Sequence, residues 1–582
     1  MIVAGCGHKT DDVATKDVKY VYTGIEPASV PGKYGGQFVY GSISNPKTFN
    51  YWIASETSST DVLGPLYDAL NDRNAFTLKQ EPRLAALPTV SKNGLVYTYH
   101  LRPGLKWSDG VSLNADDVIF TLDMLYSPTT QSSMTESLLV DVDQPDGTVK
   151  RMPFKYRKIN ETTVEFTLPV PYAAAQDIFS FPIAPKHMLN SAFIAGKFNT
   201  AYNVNTDPSQ LVSSGPWIMT HYAPGERVEY KPNPHYWKTS KSGQKLPYFD
   251  TYIYTIVPDI NSLVLKFNNK DTDAVSFPAT YYPDLKRGET SGNYTIYDTG
   301  PDWGFQYLSF NMNPNANIDK RLVKLFQDVR FRKAVSFAIN RKRISDDVYN
   351  GLAVPAFGPL TSANSEFYNP NIPKTPYDLN QAKLMLASMG ISQMDSNKML
   401  LYNGKEIKFT ILTNVENDQR KSICAIIAEN LREIGINATF TPIVFNKLVS
   451  DLDDAPYNWE ACLLGFTGGV DPHDDANVWR SSAINHQWWP KEKQPATPWE
   501  AEIDKIFIDA DHEMDPIKRK ALYDRWQVIA ANELPFIYTV TPTLHAAVRN
   551  KFGNLKPCSL DRDAVLWNLD EEFDNAATRL TP

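Results

Sequence analysis

Alternating apolar positions predict a strand, a helix and a second strand between residues 407 and 440. Apolar side chains occupy every second position over 407–411 and 436–440, and between these runs they recur at helical spacing up to Gly435. Two strands joined by a covering helix run parallel, so this part of the chain is predicted to be an open α/β sheet. Ligands bind beyond the carboxyl ends of strands in such sheets, which directs Thr413 and Asn414 toward a candidate cleft.

Further elements are predicted on both sides of this unit. The pattern predicts strands over residues 37–40, 96–100 and 461–464. Asn114 and Asp328 each cap a predicted helix, because a short polar side chain there precedes apolar residues at helical spacing. The second helix carries cations opposite its apolar face, and we expect these to face solvent: Arg330, Arg332, Lys333 and Arg341.

Length and composition favour a multi-domain soluble protein. The 582 residues are too many for one hydrophobic core, and no apolar run is long enough to span a membrane. A net charge of −8 without a basic block gives nucleic acid no electrostatic footprint. Tyr, Phe and Trp make up 12% of residues, which suits a ligand cleft, although most of these rings must fill cores.

Motifs of the common enzyme and cofactor classes are absent from the sequence. It contains no G-x-S-x-G, no H-E-x-x-H, no G-x-x-x-x-G-K-[ST] and no dinucleotide-binding glycine motif after a strand. The run from His473 to Asp475 beside Asp471 could hold a metal, but it is more typical of an acidic loop that caps a helix. We therefore predict no catalytic residue, no cofactor and no metal.

The cysteines indicate an anchor and buried thiols. Cys6 follows Val3, Ala4 and Gly5, a pattern typical of a bacterial lipobox, and we expect it to be lipidated at the start of a flexible tether over residues 1–33. Since five residues are too few for a signal peptide, we expect the natural chain to start earlier. The others lack C-x-x-C spacing and are expected to be buried free thiols, with a disulfide between two of them left open: Cys424, Cys462 and Cys558.

Three glycines follow the strand predicted over residues 461–464. Gly465, Gly468 and Gly469 would bring backbone N–H groups close to whatever lies opposite. A requirement for a turn would explain the same residues equally well. The sequence leaves these two interpretations open.

Four ordered segments resemble the bacterial extracellular solute-binding proteins of family 5, the oligopeptide- and dipeptide-binding group of ABC importers. The most specific is YTYHLRPGLKWSDGVSLNADDVIFTL, from Tyr97 to Leu122. The others are SGPW, PGE and NPHYW over residues 214–237, FN with DVRFRKA and AINR over residues 310–341, and RK, WQ and ELP over residues 519–535. The resemblance covers nearly all of residues 34–567.

This resemblance implies an α/β protein with a two-lobed periplasmic-binding-protein-like fold of type II, in the large class with an extra subdomain. Lobe I is expected to comprise residues 34–60, 180–300 and 540–582, the subdomain residues 61–179, and lobe II residues 301–539. The chain should cross between the lobes near residues 300–306 and 538–542, and the ligand should lie between the lobes.

The resemblance also implies a ligand contact that this chain lacks. In peptide-binding members an aspartate soon after the glycine-rich loop pairs with the amino terminus of the ligand, whereas this chain has Gly469 there and Asp471 two residues later. A free peptide amine is thus a weaker candidate ligand, and oligosaccharides, other polar solutes or modified peptides stay open. The predicted ligand-binding residues are Asn45, Trp303, Tyr307, Asn414, Phe466, Thr467, Gly468, Asp471, Trp479 and Tyr538.

The predicted function is capture of a peptide or other small polar solute by hinge closure, and delivery to a membrane permease, without catalysis. The expected partners are the solute, the transmembrane subunits of an ABC permease, and the membrane through Cys6, with no nucleic acid. We expect a lipid-anchored monomer on the periplasmic or extracellular face of the cytoplasmic membrane. The alternative function is that of a secreted hydrolase acting on an oligosaccharide or a peptide.

Overall fold

A computed structural model describes most of the chain. The described residues are 19–20, 26–43, 45–54, 57–130, 132–144, 149–483, 485–490, 492–560 and 565–582. Cys6 and most of the predicted tether lie outside the described residues, so lipidation stays a prediction. Cys424, Cys462 and Cys558 are buried and form no disulfide, as predicted.

Strands and helices alternate along the chain. The strands are β1 (Lys19–Tyr20), β2 (Gln37–Ser42), β3 (Asn71–Arg73), β4 (Gln80–Pro82), β5 (Thr89–Val90), β6 (Val96–His100), β7 (Leu139–Asp143), β8 (Val149–Pro153), β9 (Lys155–Asn160), β10 (Thr163–Thr167), β11 (Trp217–Ala223), β12 (Arg227–Pro232), β13 (Thr251–Ile256), β14 (Ala274–Phe277), β15 (Tyr294–Pro301), β16 (Phe305–Phe310), β17 (Ala353–Pro355), β18 (Leu401–Tyr402), β19 (Lys405–Glu406), β20 (Lys408–Asn414), β21 (Asn437–Ile443), β22 (Ala461–Phe466), β23 (Phe536–Tyr538), β24 (Val540–Arg549), β25 (Phe552–Gly553) and β26 (Phe573–Asp574). The α-helices are α1 (Thr57–Leu63), α2 (Ala115–Leu125), α3 (Ala175–Ile178), α4 (Lys186–Ile194), α5 (Ile260–Asn268), α6 (Tyr282–Gly292), α7 (Lys320–Gln327), α8 (Val329–Ala338), α9 (Arg341–Tyr349), α10 (Leu379–Ser388), α11 (Asp418–Glu433), α12 (Phe445–Asp453), α13 (Ala476–Trp479), α14 (Pro498–His512) and α15 (Pro516–Glu533).

Four larger sheets organise these elements. When the lobes are named by their predicted residue ranges, two of these sheets contain strands of lobe I, in the orders β11-β12-β13-β2 and β15-β24-β14; β1 of the predicted tether pairs with β15, and β17 pairs with β24. The subdomain contains the sheet β5-β6-β10-β9, and lobe II contains the sheet β21-β20-β22-β16-β23. One apolar core fills lobe II and reaches β14 and β15, while a second fills the subdomain and the neighbouring β2 and β13.

The predicted strand–helix–strand unit is confirmed in lobe II. β20 and β21 pair in parallel, with Lys408 opposite Asn437, and α11 connects them. The predicted helix cap at Asn114 is also confirmed, because its side chain accepts a hydrogen bond from the Asp116 amide and Asp117 completes a capping box. Local periodicity and capping chemistry therefore correctly placed these elements.

The expectation that all the cations on the helix capped by Asp328 face solvent is wrong for two of them. Asp328 caps α8 as predicted, but α8 ends at Ala338 and Arg341 begins α9, and Arg332 and Arg341 are only 2% and 3% exposed. Arg332 donates to the carbonyl oxygens of Phe326 at 2.7 Å and Glu533 at 2.8 Å. Arg341 donates to the Tyr538 carbonyl at 2.9 Å, so its guanidinium helps to hold the end of β23.

The chain passes twice between a sheet of lobe I and the sheet of lobe II. β15 continues through residues 302–304 into β16, and β23 continues through Thr539 into β24. Thr539 is fixed by its amide and its hydroxyl, which both donate to the Gln306 carbonyl at 2.8 Å. The two connections therefore lie side by side. No helix within the described residues has both the length and the apolar character needed to cross a membrane.

Candidate ligand-binding cleft

The glycine-rich loop, residues 465–470, lies directly against the first connection between the lobes, residues 302–304. A Cβ atom on Gly468 would lie 1.9 Å from the Trp303 carbonyl oxygen, and one on Gly304 would lie 1.9 Å from the Phe466 carbonyl oxygen. Neither glycine has a left-handed backbone. The close approach of two backbones, not a turn, therefore requires glycine at these positions.

Trp303 joins three parts of the molecule beside this contact. Its ring is 6% exposed and packs in a small apolar cluster with Leu78 of the subdomain and with Ala363 and Val470 of lobe II. Its Nε1–H donates to the Ser559 hydroxyl of lobe I at 3.3 Å. Trp303 thus packs where lobe I, the subdomain and lobe II meet.

A second loop of lobe II holds the glycine-rich loop in place. The Asn364 side chain donates to the Val470 carbonyl at 2.8 Å, and the Thr361 hydroxyl donates to the Asp302 carbonyl at 2.8 Å. These bonds tie residues 361–364 to both the glycine-rich loop and the first connection. Buried backbone carbonyls are satisfied in this way without secondary structure.

Asp471 is fully engaged inside lobe II. Its two carboxylate oxygens accept hydrogen bonds from the Arg519 guanidinium at 2.6 and 2.8 Å, and one also accepts from the His473 amide at 2.9 Å. Both partners of the ion pair are buried. Burial alone would raise the pKa of Asp471, but Arg519 outweighs this effect and lowers it. Asp471 therefore has no free oxygen for the amino group of a ligand.

Asp474 occupies the space beside Gly469, where the family pattern places an acid. A Cβ on Gly469 would lie 2.7 Å from an Asp474 carboxylate oxygen. The Asp474 side chain is exposed, yet burial raises its pKa to about 6, and the charge of Asp471 contributes. From an accessible but poorly solvated side chain we infer a recess, defined here by the charged residues Asp474, Glu366, Arg73 and Asp177, the last two of which act electrostatically on the first two.

A second carboxylate, Glu366, shares these properties. Glu366 is exposed, and burial raises its pKa while Arg73 of the subdomain lowers it. Neither the Glu366 nor the Asp474 carboxylate has a hydrogen-bond or ion-pair partner among the residues that the structure describes. Both carboxylates interact electrostatically with Asp177, so the negative charge extends across to the subdomain.

Arg73 and Asp177 form the opposite wall. The Arg73 guanidinium binds the Asp177 carboxylate at 2.5 and 2.8 Å, and Gln80 donates to the same carboxylate at 2.5 Å. Burial raises the pKa of Asp177, and Arg73 opposes that shift. Asp177 already neutralises the charge of Arg73. Arg73 is therefore not available as an ion-pair partner for Asp474 or Glu366.

The subdomain and lobe II also touch directly. The Tyr172 hydroxyl and His473 Nε2 are 2.6 Å apart, and the Ala173 amide donates to the Asp511 carbonyl at 2.8 Å. His473 Nδ1 is 2.9 Å from the Asp511 carboxylate, which together with Asp471 and Asp474 raises the pKa of His473 to about 9 against the effect of burial. The lobes are therefore in contact around the recess.

The structure places the predicted aromatic residues mostly in cores. Tyr307 stacks on Phe466 with ring centroids 4.7 Å apart, and Trp479 packs on Trp526. Trp303, Tyr307, Trp479 and Tyr538 are all less than 7% exposed, whereas Phe466 is half-buried.

The remaining predicted residues differ in their access to solvent. Thr467 is exposed and Gly468 is half-buried beside the first connection. Asn414 is 7% exposed and accepts a hydrogen bond from Arg420 at 3.0 Å. Asn45 is exposed on lobe I, where it accepts a hydrogen bond from the Gly225 amide at 2.7 Å in the turn between β11 and β12.

Sequence reasoning missed several polar residues that the fold brings together. Arg73, Asp177 and Glu366 lie far apart in the chain and belong to no motif. Asp474 and His473 were identified only as part of an acidic loop, and Asp471 does cap the short turn Pro472–Asp475 as expected of such a loop. The run of acids next to a missing family aspartate was the one available signal for Asp474.

Two lobes joined by two adjacent chain connections, with a polar recess between them, define the class of two-lobed solute-binding proteins. The family model described as "Bacterial extracellular solute-binding proteins, family 5 Middle" matches residues 79–487. This chain belongs to that family. The predicted family, the fold class and the function as a solute-binding protein are thereby confirmed, and nothing in the comparisons supports the hydrolase alternative.

Individual relatives match over nearly the whole chain. The oligopeptide-binding protein AppA of Bacillus subtilis is 26% identical over 531 residues, covering 90% of this chain and 89% of AppA. The dipeptide-binding protein of Escherichia coli is 25% identical over 537 residues, covering 90% and 92%. The solved structure of B. subtilis AppA with a nonapeptide superposes with a TM-score of 0.71 and 25% identity, over 93% of this chain and 99% of that chain.

Proposed function

We propose that this protein captures a peptide or another small polar solute that carries a cationic group, and delivers it unchanged to an ABC permease. The observation that carries the proposal is the pair of unpartnered carboxylates, Asp474 and Glu366, in the recess between the subdomain and lobe II. Charged side chains lose solvation there without gaining a counterion, so a ligand cation would complete the site. The matches to oligopeptide- and dipeptide-binding proteins support a peptide amine as that cation.

Asp474 takes the role of the aspartate that peptide-binding members carry at the position of Gly469. Its carboxylate lies within 2.7 Å of the point where a side chain on Gly469 would begin. A glycine at residue 469 is compatible with Asp474 in this place, whereas any larger residue would push Asp474 away. The absence of an aspartate at residue 469 therefore makes room for the Asp474 carboxylate.

Hinge closure is the proposed mechanism, with lobe I at residues 34–60, 180–300 and 540–582, the subdomain at residues 61–179 and lobe II at residues 301–539. The passage of the chain between sheets at residues 302–304 and at Thr539 supports these boundaries. A ligand shifts the balance between open and closed forms only by its difference in affinity for them. Contacts such as Tyr172 with His473 exist only when the lobes are together, so they favour the closed form.

Direct ligand contact is proposed for the accessible part of the predicted set, Phe466, Thr467 and Gly468, with Asn45 contributing from lobe I. The others are proposed to support the cleft from behind: Trp303, Tyr307, Asn414, Asp471, Trp479 and Tyr538. Their burial suits that role, because packed residues fix the position of a ligand-binding surface.

The cellular setting follows from the family. Family members are extracellular, and we propose that this protein acts as a monomer without a cofactor and without catalytic activity. A lipid anchor at Cys6 would keep it beside the transmembrane subunits of its permease. Electrospray mass of the mature protein from membranes tests the anchor, since diacylation adds a mass that a Cys6→Ser variant lacks.

Binding without turnover is the decisive test of the proposed function. The purified protein is incubated with an equimolar library of di- to pentapeptides, and retained and free peptides are identified by mass spectrometry. We expect about one peptide per protein, recovered intact. Progressive hydrolysis of the library would contradict the proposal, and retention of N-acetylated but not free peptides would exclude the amine as the recognised group.

A further inference from the structure

One histidine and two glutamates, residue types that can bind metals, meet in the interior of lobe II. His486, Glu492 and Glu500 are 0%, 6% and 2% exposed, and one potential ligand atom from each lies within 4.8 Å of the other two. They come from the segment between α13 and α14 and from the first turn of α14. No spacing motif marks them, which is why the sequence did not predict a metal site.

The distances between these atoms are unlike those of a hydrogen-bonded ion pair. His486 Nε2 is 3.4 Å from Glu492 Oε2 and 3.9 Å from Glu500 Oε1. A charge-assisted hydrogen bond would bring these atoms to about 2.7–2.9 Å. Two ligands on a tetrahedral zinc ion, with bonds of about 2.0–2.2 Å, are separated by about 3.4 Å. The His486–Glu492 separation matches that value, whereas the other two distances, 3.9 Å and at most 4.8 Å, must shorten for all three side chains to bind one ion.

Several of the ligand atoms are buried without any partner. His486 Nε2 and both carboxylate oxygens of Glu492 have no hydrogen bond within the described part of the chain. Leaving such atoms unsatisfied in the interior is costly, and each one calls for a ligand or a proton. A cluster of acids alone would carry little weight, but here the unpartnered atoms themselves face one another.

The surrounding contacts orient the set for a metal. His486 Nδ1 lies 3.1 Å from the Val478 carbonyl oxygen and must carry a proton to donate to it, so in the neutral imidazole the lone pair is on Nε2, which faces the two glutamates. Glu500 is held by the Trp488 indole N–H at 2.9 Å and the Thr497 hydroxyl at 2.7 Å. Metal-ligating histidines and carboxylates are oriented by such outer contacts.

We propose that His486, Glu492 and Glu500 form a binding site for a divalent transition-metal ion, with Zn²⁺ and Mn²⁺ as the candidates. One imidazole and two carboxylates suit these ions, and the absence of thiolate ligands from the set disfavours copper(I). Two carboxylates around a neutral imidazole carry a charge of −2, which a divalent cation neutralises.

The ion would stabilise a segment that supports the cleft. Gln487, next to His486, accepts a hydrogen bond from the Tyr307 hydroxyl, and Tyr307 stacks on Phe466 beside the recess. Binding of a metal would hold His486, Glu492 and Glu500 together and would thereby support the surface behind Phe466. The proposal does not depend on the transport function or on the chemistry of the solute.

The test uses the full chain, stripped with EDTA and then titrated with ZnCl₂ or MnCl₂ alone. Metal that remains after gel filtration is measured by inductively coupled plasma mass spectrometry. We expect one equivalent of one of the two metals per chain and a rise of about 5 °C in the unfolding midpoint at saturating metal. Glu492→Gln should lose both the bound metal and the rise.

Glu572→Gln is the matched control. Glu572 is also a fully buried glutamate whose two oxygens lack partners, but it belongs to no group of metal ligands among the residues that the structure describes. The control should bind metal as the wild type does. Failure of the wild type to retain either metal, or equal retention by Glu492→Gln, would overturn the proposal.

A measurement on the wild type covers the case in which Glu492→Gln does not fold. X-ray absorption at the edge of the bound metal counts its imidazole ligands directly. One imidazole with oxygen ligands supports the proposal. Two or more imidazoles, or sulfur ligands, would place the ion elsewhere and refute it.

Discussion

Asp471 and Asp474 lie three residues apart in one acidic loop, yet they face different surroundings. Asp471 points into lobe II, where both its oxygens are bound by Arg519. Asp474 points into the recess, where its carboxylate has no ion-pair partner among the described residues, and burial raises its pKa to about 6 although the charges of His473 and Arg73 oppose the shift. The same residue type is thus part of the scaffold on one side of the loop and part of the surface open to a ligand on the other.

The difference shows how to separate structural from functional charges in this fold. A buried carboxylate with a bidentate arginine has satisfied its charge and gains little from any ligand. A carboxylate that is accessible but poorly solvated still lacks its counterion. Substitutions on the two sides should therefore change different properties, stability for Asp471 and affinity for Asp474.

The largest effect is expected for Asp471→Ala. The change leaves the buried Arg519 without its counterion, and breaking a buried pair from one side costs about 3–5 kcal/mol. Urea unfolding followed by tryptophan fluorescence measures the loss. Asp474→Asn is the control and should stay within about 0.5 kcal/mol of the wild type. Equal stability of Asp471→Ala and the wild type would mean that this pair does not hold the loop.

Gly468→Ala should be the next largest effect. The added methyl group would lie 1.9 Å from the Trp303 carbonyl oxygen, so the loop must move away from the first connection. Overpacking of this kind costs about 1–3 kcal/mol in unfolding free energy. Gly64→Ala is the matched control, because its Cβ meets nothing within 4 Å and its backbone is not left-handed. If both variants unfold alike, the close approach is not a structural constraint.

Local features of the fold could be predicted from the sequence because they depend on neighbours in the chain. The parallel pair β20 and β21 and the caps of α2 and α8 follow from periodicity and from short polar side chains. Arg332 and Arg341 could not be predicted correctly, because their partners are carbonyl groups that tertiary packing brings to them. The exposure of a long cation depends on what the fold places around it.

The position proposed for the ligand site, but not its chemistry, follows from the family resemblance. The resemblance directed attention to the loop at residues 465–475 and to the chain connections. Which of Asp471 and Asp474 stays available to a ligand depends on distant residues. Arg519, 48 residues beyond Asp471, binds Asp471, and Arg73 is paired with Asp177 in another part of the chain. Large aromatic residues were a weaker guide, since Tyr307, Trp479 and Tyr538 satisfy core packing instead.

Asp474→Asn should weaken binding of peptides with a free amino terminus by about 10- to 100-fold. A hydrogen bond to a charged group contributes about 1.5–3 kcal/mol, and the amide removes the charge while it keeps the shape. Isothermal titration of one peptide retained from the library, compared with its N-acetylated form, measures the effect. Glu366→Gln provides the comparison within the recess. If Glu366→Gln loses more affinity than Asp474→Asn, then Glu366 is the main counterion for the amine.

The smallest expected effect is the pH dependence of that affinity, which isolates the titration of Asp474. With its pKa raised to about 6 in the free protein, Asp474 is ionised at pH 8 and mostly protonated at pH 5. The affinity for a cation should therefore fall as pH falls through 6, by up to about tenfold at pH 5. His473, with a pKa of about 9, keeps its charge across most of this range, whereas Asp177 and Glu366 also have raised pKa values and could contribute. The Asp474→Asn variant distinguishes these groups. If its affinity no longer changes with pH, the titrating group is Asp474. If its affinity changes with pH as in the wild type, another carboxylate in the recess is responsible.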